Sequence, residues 1–425
     1  MKRLKYLLTV FLAVTAFCDT LADDIPYRQQ RREIFGQLPV NENSIVFLGD
    51  SITDFGLWSE FFGSDGNIIN RGIQGIESTE VLNHLSLIYS GHPRKVFLMI
   101  GINDFHTPEY VVPNIRKILE TFRRESPGTE LYVQSILPCN NAARADIPLA
   151  LNPQIKDLCN ELNVTYIDIF GEMTRISGSI SMPENMTDDG LHPNGPGYRE
   201  WCKILAPYVG KSSSISETVV PDKPLKRAIF NSILTEFQLL PVNDCDILHI
   251  GDYQVMTGEW SELMGEPKFK NRGLGGGFGW SLSLGEFNAS YNCFIKGCPS
   301  KIFFHCGKRA LDAEEASADS LFIQYQTAIT NIRNAAPDAE IYLESIIPNT
   351  DPSINAGYIC PFNKMIADYV AKDTSGKLHY VDIYNALAEN GTLAPRFRGA
   401  NTEQSRGING HGYVTWANVL KEFVK

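Results

Sequence analysis

A serine just past an apolar run, and a histidine three residues after an aspartate, can together perform nucleophilic acyl chemistry if a fold unites them. The serine is Ser51, in Ile45-Val-Phe-Leu-Gly-Asp-Ser51-Ile-Thr53. The pair is Asp189 and His192, in Thr187-Asp-Asp-Gly-Leu-His-Pro-Asn194. A carboxylate three residues before a histidine can accept the Nδ1 proton within one turn of chain and leave Nε2 free to face a serine. Asp188 is a weaker candidate for the orienting carboxylate, its spacing being different by one. Two further groups could donate to a developing oxyanion: the backbone N–H of Gly75, in Gly72-Ile-Gln-Gly75, and the amide of Asn103, in Gly101-Ile-Asn103-Asp104. Each signal alone has an ordinary structural reading. Ser51 could be a helix cap, Asp189-Gly190 a turn beside an incidental histidine, Gly75 loop punctuation and Asn103 a turn residue.

What must position them is a set of short apolar runs alternating with amphipathic stretches. The strand candidates are Ser44–Leu48, Ile68–Asn70, Lys95–Ile100, Glu130–Ser135 and Thr165–Ile169. Between and after them the helix candidates are Glu77–Ile88, Tyr110–Arg124, Gln154–Leu162 and Gly197–Tyr208. Continuous apolar strands separated by helices predict a parallel sheet covered on both faces. Chemistry in such a sheet gathers past the carboxyl ends of the strands, where all five candidate groups fall. Ser51 would also open a helix, whose N-terminus favours developing negative charge.

The chain then repeats itself. Leu38-Pro-Val-Asn-Glu-Asn-Ser-Ile-Val-Phe-Leu-Gly-Asp50 corresponds to Leu240-Pro-Val-Asn-Asp-Cys-Asp-Ile-Leu-His-Ile-Gly-Asp252, with seven of 13 positions identical. Asn70-Arg-Gly72 returns as Asn271-Arg-Gly273, Tyr166-Ile-Asp168 as Tyr380-Val-Asp382, and Gly197-Tyr-x-x-Trp201 as Gly412-Tyr-x-x-Trp416. A period near 200 residues points to a duplicated domain. The expected organisation is a signal peptide over 1–22, a catalytic domain over 23–209, a linker over 210–224 and a second, degenerate domain over 225–425. The linker stretch begins Gly210-Lys-Ser-Ser-Ser and ends at Pro224, a composition that suits exposed chain.

The blocks GDSIT, NRGIQG, GIND and DGLHPNGPGY resemble, in order and spacing, the four blocks of the SGNH (GDSL) hydrolase family. The resemblance covers residues 38–209 and is strongest to the small acetylhydrolases and carbohydrate O-acetylesterases. It implies a flavodoxin-like three-layer α/β/α fold in each half, with parallel sheets. It also implies Ser51 as nucleophile, His192 as general base and then acid, and Asp189 as its orienter. The oxyanion hole would come from the N–H groups of Ser51 and Gly75 and the Asn103 amide. Ile76-Glu77-Ser78 departs from the family's usual Asp-Thr-Thr after the second glycine, which touches the pocket wall and spares the catalytic set.

The second half keeps the fold pattern and loses the chemistry. Tyr253 stands at the Ser51 position and Arg309 at the Asn103 position, while Gly276 still matches Gly75. Gly407–Tyr413 aligns with Gly190–Tyr198 only if the His192-Pro193 pair is deleted, which puts Arg406 at the Asp189 position. Residues 225–425 are therefore expected to hydrolyse nothing, and to pack on the first domain or bind substrate. His249 and His305 replace Phe47 and Met99 and are expected to be satisfied core histidines. The alternative is a repurposed pocket containing Tyr253 and Arg309.

The remaining features set boundaries. Lys2, Arg3 and Lys5 precede an uncharged run, Tyr6–Cys18, and Thr20-Leu-Ala22 suits cleavage after Ala22, so a secreted or periplasmic protein is expected. No other segment is long and apolar enough to be a membrane span. The formal charge of −11, lowered by two once 1–22 is removed, disfavours nucleic acid as a partner. Scattered histidines without paired ligand spacing indicate no metal, and no cofactor is expected. Eight cysteines follow the leader, and Cys293 and Cys298 form the best local disulfide candidate. The expected activity is hydrolysis of small acyl esters, acetyl foremost, on carbohydrate or a small molecule. The alternatives are a lysophospholipase- or thioesterase-like hydrolase of longer chains and, in another class, a non-catalytic glycan-binding protein.

Overall fold

The computed structural model describes residues 26–63, 67–276, 280–313, 316–399 and 407–424. The leader expected over 1–22 and the alignment of Arg406 lie outside these residues. The chain opens with helix α1 (Pro26–Gln37), followed by β1 (Ile45–Gly49), the four-residue helix α2 (Ser51–Asp54), β2 (Ile68–Gly72) and β3 (Lys95–Met99). Next come α3 (Val111–Glu125), β4 (Glu130–Gln134), α4 (Asp146–Glu161), β5 (Thr165–Ile167) and α5 (Gly195–Val209). In the second half, α6 (Ala228–Leu239) leads to β6 (Ile247–Gly251), β7 (Phe269–Gly273), β8 (Lys301–His305), β9 (Glu340–Glu344) and β10 (Leu378–Val381). Helix α7 (Gly410–Lys421) closes the chain.

Each half is built on a five-stranded parallel sheet, ordered β2-β1-β3-β4-β5 in the first and β7-β6-β8-β9-β10 in the second. The two sheets have the same topology, and the fold is mixed α/β of the flavodoxin-like kind expected. Every residue of β1 and β2 is buried, the apolar run of β1 between helical layers and, in β2, Asn70 and Arg71 through polar partners. In the first sheet Gly49 pairs with both Gly72 and Met99, so the three strands end level. A side chain at Gly49 would meet the Met99 carbonyl at 2.2 Å, which explains the glycine at that strand end.

Several elements depart from the sequence expectation. The helix expected over Glu77–Ile88 is two short helical pieces, Ser78–Val81 and Ser86–Tyr89, joined by turns whose bonds run from residue i to i−3. The helix expected from Gln154 begins at Asp146 and tolerates Pro148 and Pro153. Pro148 lies in the first turn, where its N–H has no helical partner to lose. The cost of Pro153 is offset by Asn152, whose amide bonds both the N–H (2.8 Å) and the carbonyl (2.9 Å) of Ile136 past β4. The 210–224 stretch lacks helix and strand but is not simply exposed. Val220 is 90% exposed, whereas Ile215 is buried and the Ser214 N–H donates to the Phe61 carbonyl.

The cysteines also depart from expectation. Cys293 and Cys298 are free thiols, as are the other six described cysteines. Cys293 faces the core from the end of a helix while Cys298 is exposed, so the two side chains are committed to different surroundings. His249 is fully buried and its Nε2 lies 2.9 Å from Glu344, whose other oxygen accepts from Trp416 Nε1. His305 is equally buried, against the Trp416 ring. Among the described residues no helix is long and apolar enough to cross a membrane.

Two helices bridge the halves. α1 packs on α7 of the second half, and α6 packs on α5 of the first. The close approaches match: a side chain at Gly410 would meet the Glu33 carbonyl, and one at Gly195 the Thr235 carbonyl. Tyr27 and Phe35 of α1 enter the first core, while Ile34 and Leu38 enter the second. Two ion pairs cross the boundary reciprocally. Arg71 at the end of β2 makes a two-pronged bond to Glu262 (2.9 and 2.8 Å), and Arg272 at the end of β7 makes the same bond to Glu60 (2.7 and 2.8 Å).

Candidate active site

Because the strands end level, the loops after β1, β2 and β3 converge on one edge of the sheet, and the candidate groups sit there. Asp50, not Ser51, caps α2: its Oδ1 accepts from the Ile52 N–H at 3.0 Å. The capping role proposed for Ser51 is thus taken by its neighbour, and the serine hydroxyl is free for other work. Burial raises the Asp50 pKa to about 7, against the lowering effect of the Ile52 bond.

The Ser51 hydroxyl meets His192 Nε2 at 2.9 Å, and His192 Nδ1 meets Asp189 Oδ2 at 2.6 Å. The Asp189–His192 turn is built to hold this line. Asp189 Oδ1 accepts from the backbone N–H groups of Leu191 (2.9 Å) and His192 (2.8 Å). The Thr187 hydroxyl accepts from the Gly190 N–H and donates to the His192 carbonyl, closing the turn across its base. Gly190 has φ +79°, a left-handed conformation that a glycine adopts without strain. Burial pushes the Asp189 pKa up, but the hydrogen bonds and charge of His192 outweigh it and hold the carboxyl at about 2. An ionised Asp189 fixes the Nδ1 proton and leaves Nε2 to accept from Ser51. The Phe55 ring closes one side, edge-on to the imidazole at 5.1 Å.

Asp188, the weaker candidate, faces elsewhere. It pairs with Lys223 and accepts from Ser232 (3.3 Å) and Asn194 (3.3 Å). It therefore ties the histidine loop to the inter-half segment and to α6.

Gly75 and Asn103 meet at the next backbone position. Asn103 Nδ2 donates to the Ile76 carbonyl at 3.1 Å, and an amide nitrogen carries a second N–H for an oxyanion. Gly75 has φ +73°, so the left-handed turn explains the residue type. Asp104, fully buried, accepts from the Ser78 N–H and hydroxyl and anchors the end of this loop. Sequence reasoning missed Asp104, although it follows Asn103 directly. It also missed Arg28 and Tyr27 of α1 and Asp54 of α2, all of which hold the loop from behind. Asp54 follows Ser51 by three residues, and that spacing was the only available signal.

Among the described residues, the corresponding edge of the second sheet has no such set. Tyr253 opens a helix capped by Asp252, and its hydroxyl donates to Gln30 of α1 at 2.8 Å. Burial pushes its phenol well above the usual tyrosine range. Arg309 lines a small cavity with Arg227, Ser281 and Ser283, and Tyr253 is not in that lining.

These observations agree with a family match. Residues 47–200 match the model of the GDSL-like lipase/acylhydrolase family, and this part of the chain is an SGNH-type ester hydrolase domain of that family. No curated protein matches the chain. Among solved structures, a Streptococcus pneumonia protein named for platelet activating factor is 29% identical. It covers 47% of this chain and 98% of its own, with a TM-score of 0.41. A GDSL-like lipase from Bacteroides thetaiotaomicron is 22% identical, covering 40% of this chain and 88% of its own at a TM-score of 0.35. A catalytic mutant of an acetylxylan esterase from Geobacillus stearothermophilus is 16% identical, covering 41% and 96% at 0.34.

Proposed function

We propose that this protein is an exported serine esterase that removes small acyl groups, acetyl foremost, from carbohydrate through an acyl-enzyme on Ser51. The observation that carries the reading is the unbroken line from Ser51 to His192 to Asp189, at 2.9 and 2.6 Å. Ser51 Oγ attacks the ester carbonyl carbon while His192 Nε2 takes its proton, and Asp189 stabilises the imidazolium. The tetrahedral oxyanion accepts from the N–H groups of Ser51 and Gly75 and the free N–H of the Asn103 amide. Collapse expels the sugar hydroxyl with the proton from His192. Water, activated by the same imidazole, then releases the acid and restores Ser51.

In this reading the leader over 1–22 directs export, residues 23–209 hold the catalytic machinery, and the second half hydrolyses nothing. Tyr253 supports the last point, since its hydroxyl is already bonded to Gln30 and, among the described residues, no histidine bonds it. The acetyl preference draws on the acetylesterase-like motif blocks in the sequence. Two measurements test the reading. A fluorophosphonate probe should label Ser51 in the folded protein, and failure to label would favour a binding protein. A series of model esters should give the highest kcat/KM at acetyl, and a maximum at about eight carbons or longer would replace it with a long-chain hydrolase. Ester turnover by the Ser51→Ala chain would contradict the assignment of the second half.

A further inference from the structure

Helix α1 lies outside the matched region, yet three of its residues grip the loop that carries Gly75. Arg28 Nη2 donates to the Gly75 carbonyl at 2.5 Å, while Nη1 makes two 2.7 Å bonds to Glu80, in the short helix that follows the loop. Tyr27 donates its hydroxyl to Asp54 Oδ2 at 2.6 Å, and Arg31 pairs with Asp54 Oδ1 at 3.1 Å. Asp54 passes this on, its Oδ2 also accepting from the Gln74 N–H at 3.0 Å. The peptide group after Gly75 and the one before Gln74 are therefore both tied to α1, on either side of the peptide that carries the Gly75 N–H. A glycine in a left-handed turn has no side chain to hold its own orientation, so its N–H direction depends on such outside bonds.

The other side of α1 is held by the second half. Arg31 also pairs with Glu259 (2.6 Å) and donates to the Thr257 carbonyl (2.8 Å), and Gln30 bonds Tyr253 and the Ile408 carbonyl. The helix is a buried strut with one end on the oxyanion loop. We propose that Arg28 is a positioning residue of the esterase reaction, holding the Gly75 N–H toward the oxyanion by clamping the Gly75 carbonyl to Glu80. Arg28 touches neither substrate nor nucleophile and acts through the loop. The proposal rests on the ester-hydrolase reading of Ser51.

The test compares three full-length proteins: wild type, Arg28→Lys, and the double variant Arg28→Met with Glu80→Gln. The double variant removes the clamp without stranding a buried carboxylate. Ser51 is titrated with a fluorophosphonate in each, so that kcat is expressed per competent site and unfolded protein drops out of the comparison. The double variant should lose about tenfold to 10² in kcat with KM changed less than about twofold, because a loosened donor is felt mainly by the transition state. Arg28→Lys keeps the charge with a single-point donor and should recover part of that loss. The acid limb of the pH–rate profile, which reports His192, should not move. A double variant with wild-type kcat per titrated site would overturn the proposal, as would a change in KM alone. A wild type that turns over no ester would instead sink the ester-hydrolase reading.

Discussion

Asp189→Asn is the most informative single change, because the structure dictates how the amide must sit. Asp189 Oδ1 accepts from two backbone N–H groups, those of Leu191 and His192, while Oδ2 faces His192 Nδ1 at 2.6 Å. In the variant, the amide oxygen must stay on the Oδ1 side, since flipping would point an NH₂ at two N–H donors and strand both. The NH₂ then faces Nδ1 and donates to it. The imidazole proton moves to Nε2, where it can no longer accept from Ser51. The charge alone has a calculable weight: holding the carboxyl at about 2 rather than 3.8 corresponds to about 2–3 kcal/mol, or about 10² in rate. Part of that coupling comes from the backbone bonds, which the amide keeps, so 10² is a ceiling for the charge. The wrong tautomer adds the rest, and a total loss near 10⁴ in kcat is expected. The assay is hydrolysis of an activated acetyl ester by titrated enzyme, with Asp188→Asn beside it. Asp188 is committed to Lys223, Ser232 and Asn194, so its variant should keep kcat within about tenfold. A loss below tenfold for Asp189→Asn, or equal losses for both, would refute the assignment of the orienting carboxylate.

Further outcomes follow from the same geometry. Ser51→Ala and His192→Ala should each abolish nearly all turnover while circular dichroism stays native, and the double variant should be no worse than either alone. Asn103→Ala should cost about 10²–10³ in kcat, and a near-normal rate would place the oxyanion donors elsewhere. Asp50, raised from 3.8 to about 7, keeps a proton when folded that the unfolded chain has lost, so its contribution to stability declines as pH rises from 4 to 7. Asp50→Asn keeps the cap acceptor and should raise stability by up to about 4 kcal/mol at pH 8 but by less than about 2 kcal/mol at pH 5; an equal effect at both would contradict the burial argument. Glu262→Gln leaves Arg71 buried without its counter-charge and should cost about 3–5 kcal/mol in denaturant unfolding, and an unchanged midpoint would show that water reaches the guanidinium.

The legible part of this protein was the part whose physics is local. Strands were readable because each carries an uninterrupted apolar run, and the observed limits of β1 to β4 differ from expectation by one or two residues. Ser51, Asp189 and His192 were readable because each falls just past a strand or in a short turn, and four weak signals in order restrict one another. Helix α1 was not legible. Its sequence, PYRQQRREIFGQ, looks like a solvated face, yet Arg28, Gln30 and Arg31 are all buried. Arg28 is covered by the Gly75 loop and Glu80 of its own half, and Gln30 and Arg31 by groups of the other half, some 200 residues away, and no local pattern carries that information. The long helix through Pro148 and Pro153 was hidden for a related reason: it depends on the tertiary bonds of Asn152. The free thiols of Cys293 and Cys298 show that spacing alone says little about where side chains point.

The two bridging helices also give a physical account of the second half. At the offset that aligns Leu38 with Leu240, Gln30 of α1 corresponds to Ser232 of α6, and Glu33 to Thr235. Both helices sit against the other half at the matching glycine, Gly410 or Gly195. The side chain at the Gln30/Ser232 position is then what differs at the two sheet edges. In the first half it is a serine, short enough to bond Asp188 and leave the line from Ser51 to His192 undisturbed. In the second half it is a glutamine. Its oxygen accepts from the Tyr253 hydroxyl and its nitrogen donates to the Ile408 carbonyl, in the loop that aligns with the histidine turn. A bridge of Tyr253, Gln30 and Ile408 thus stands where the first half has serine and imidazole. A serine at 253 would be too short to reach Gln30, and a histidine in that loop would compete for the same space. The tyrosine at position 253 and the contact that docks α1 are one packing solution, and the helix so docked is the one that carries Arg28 to the Gly75 loop.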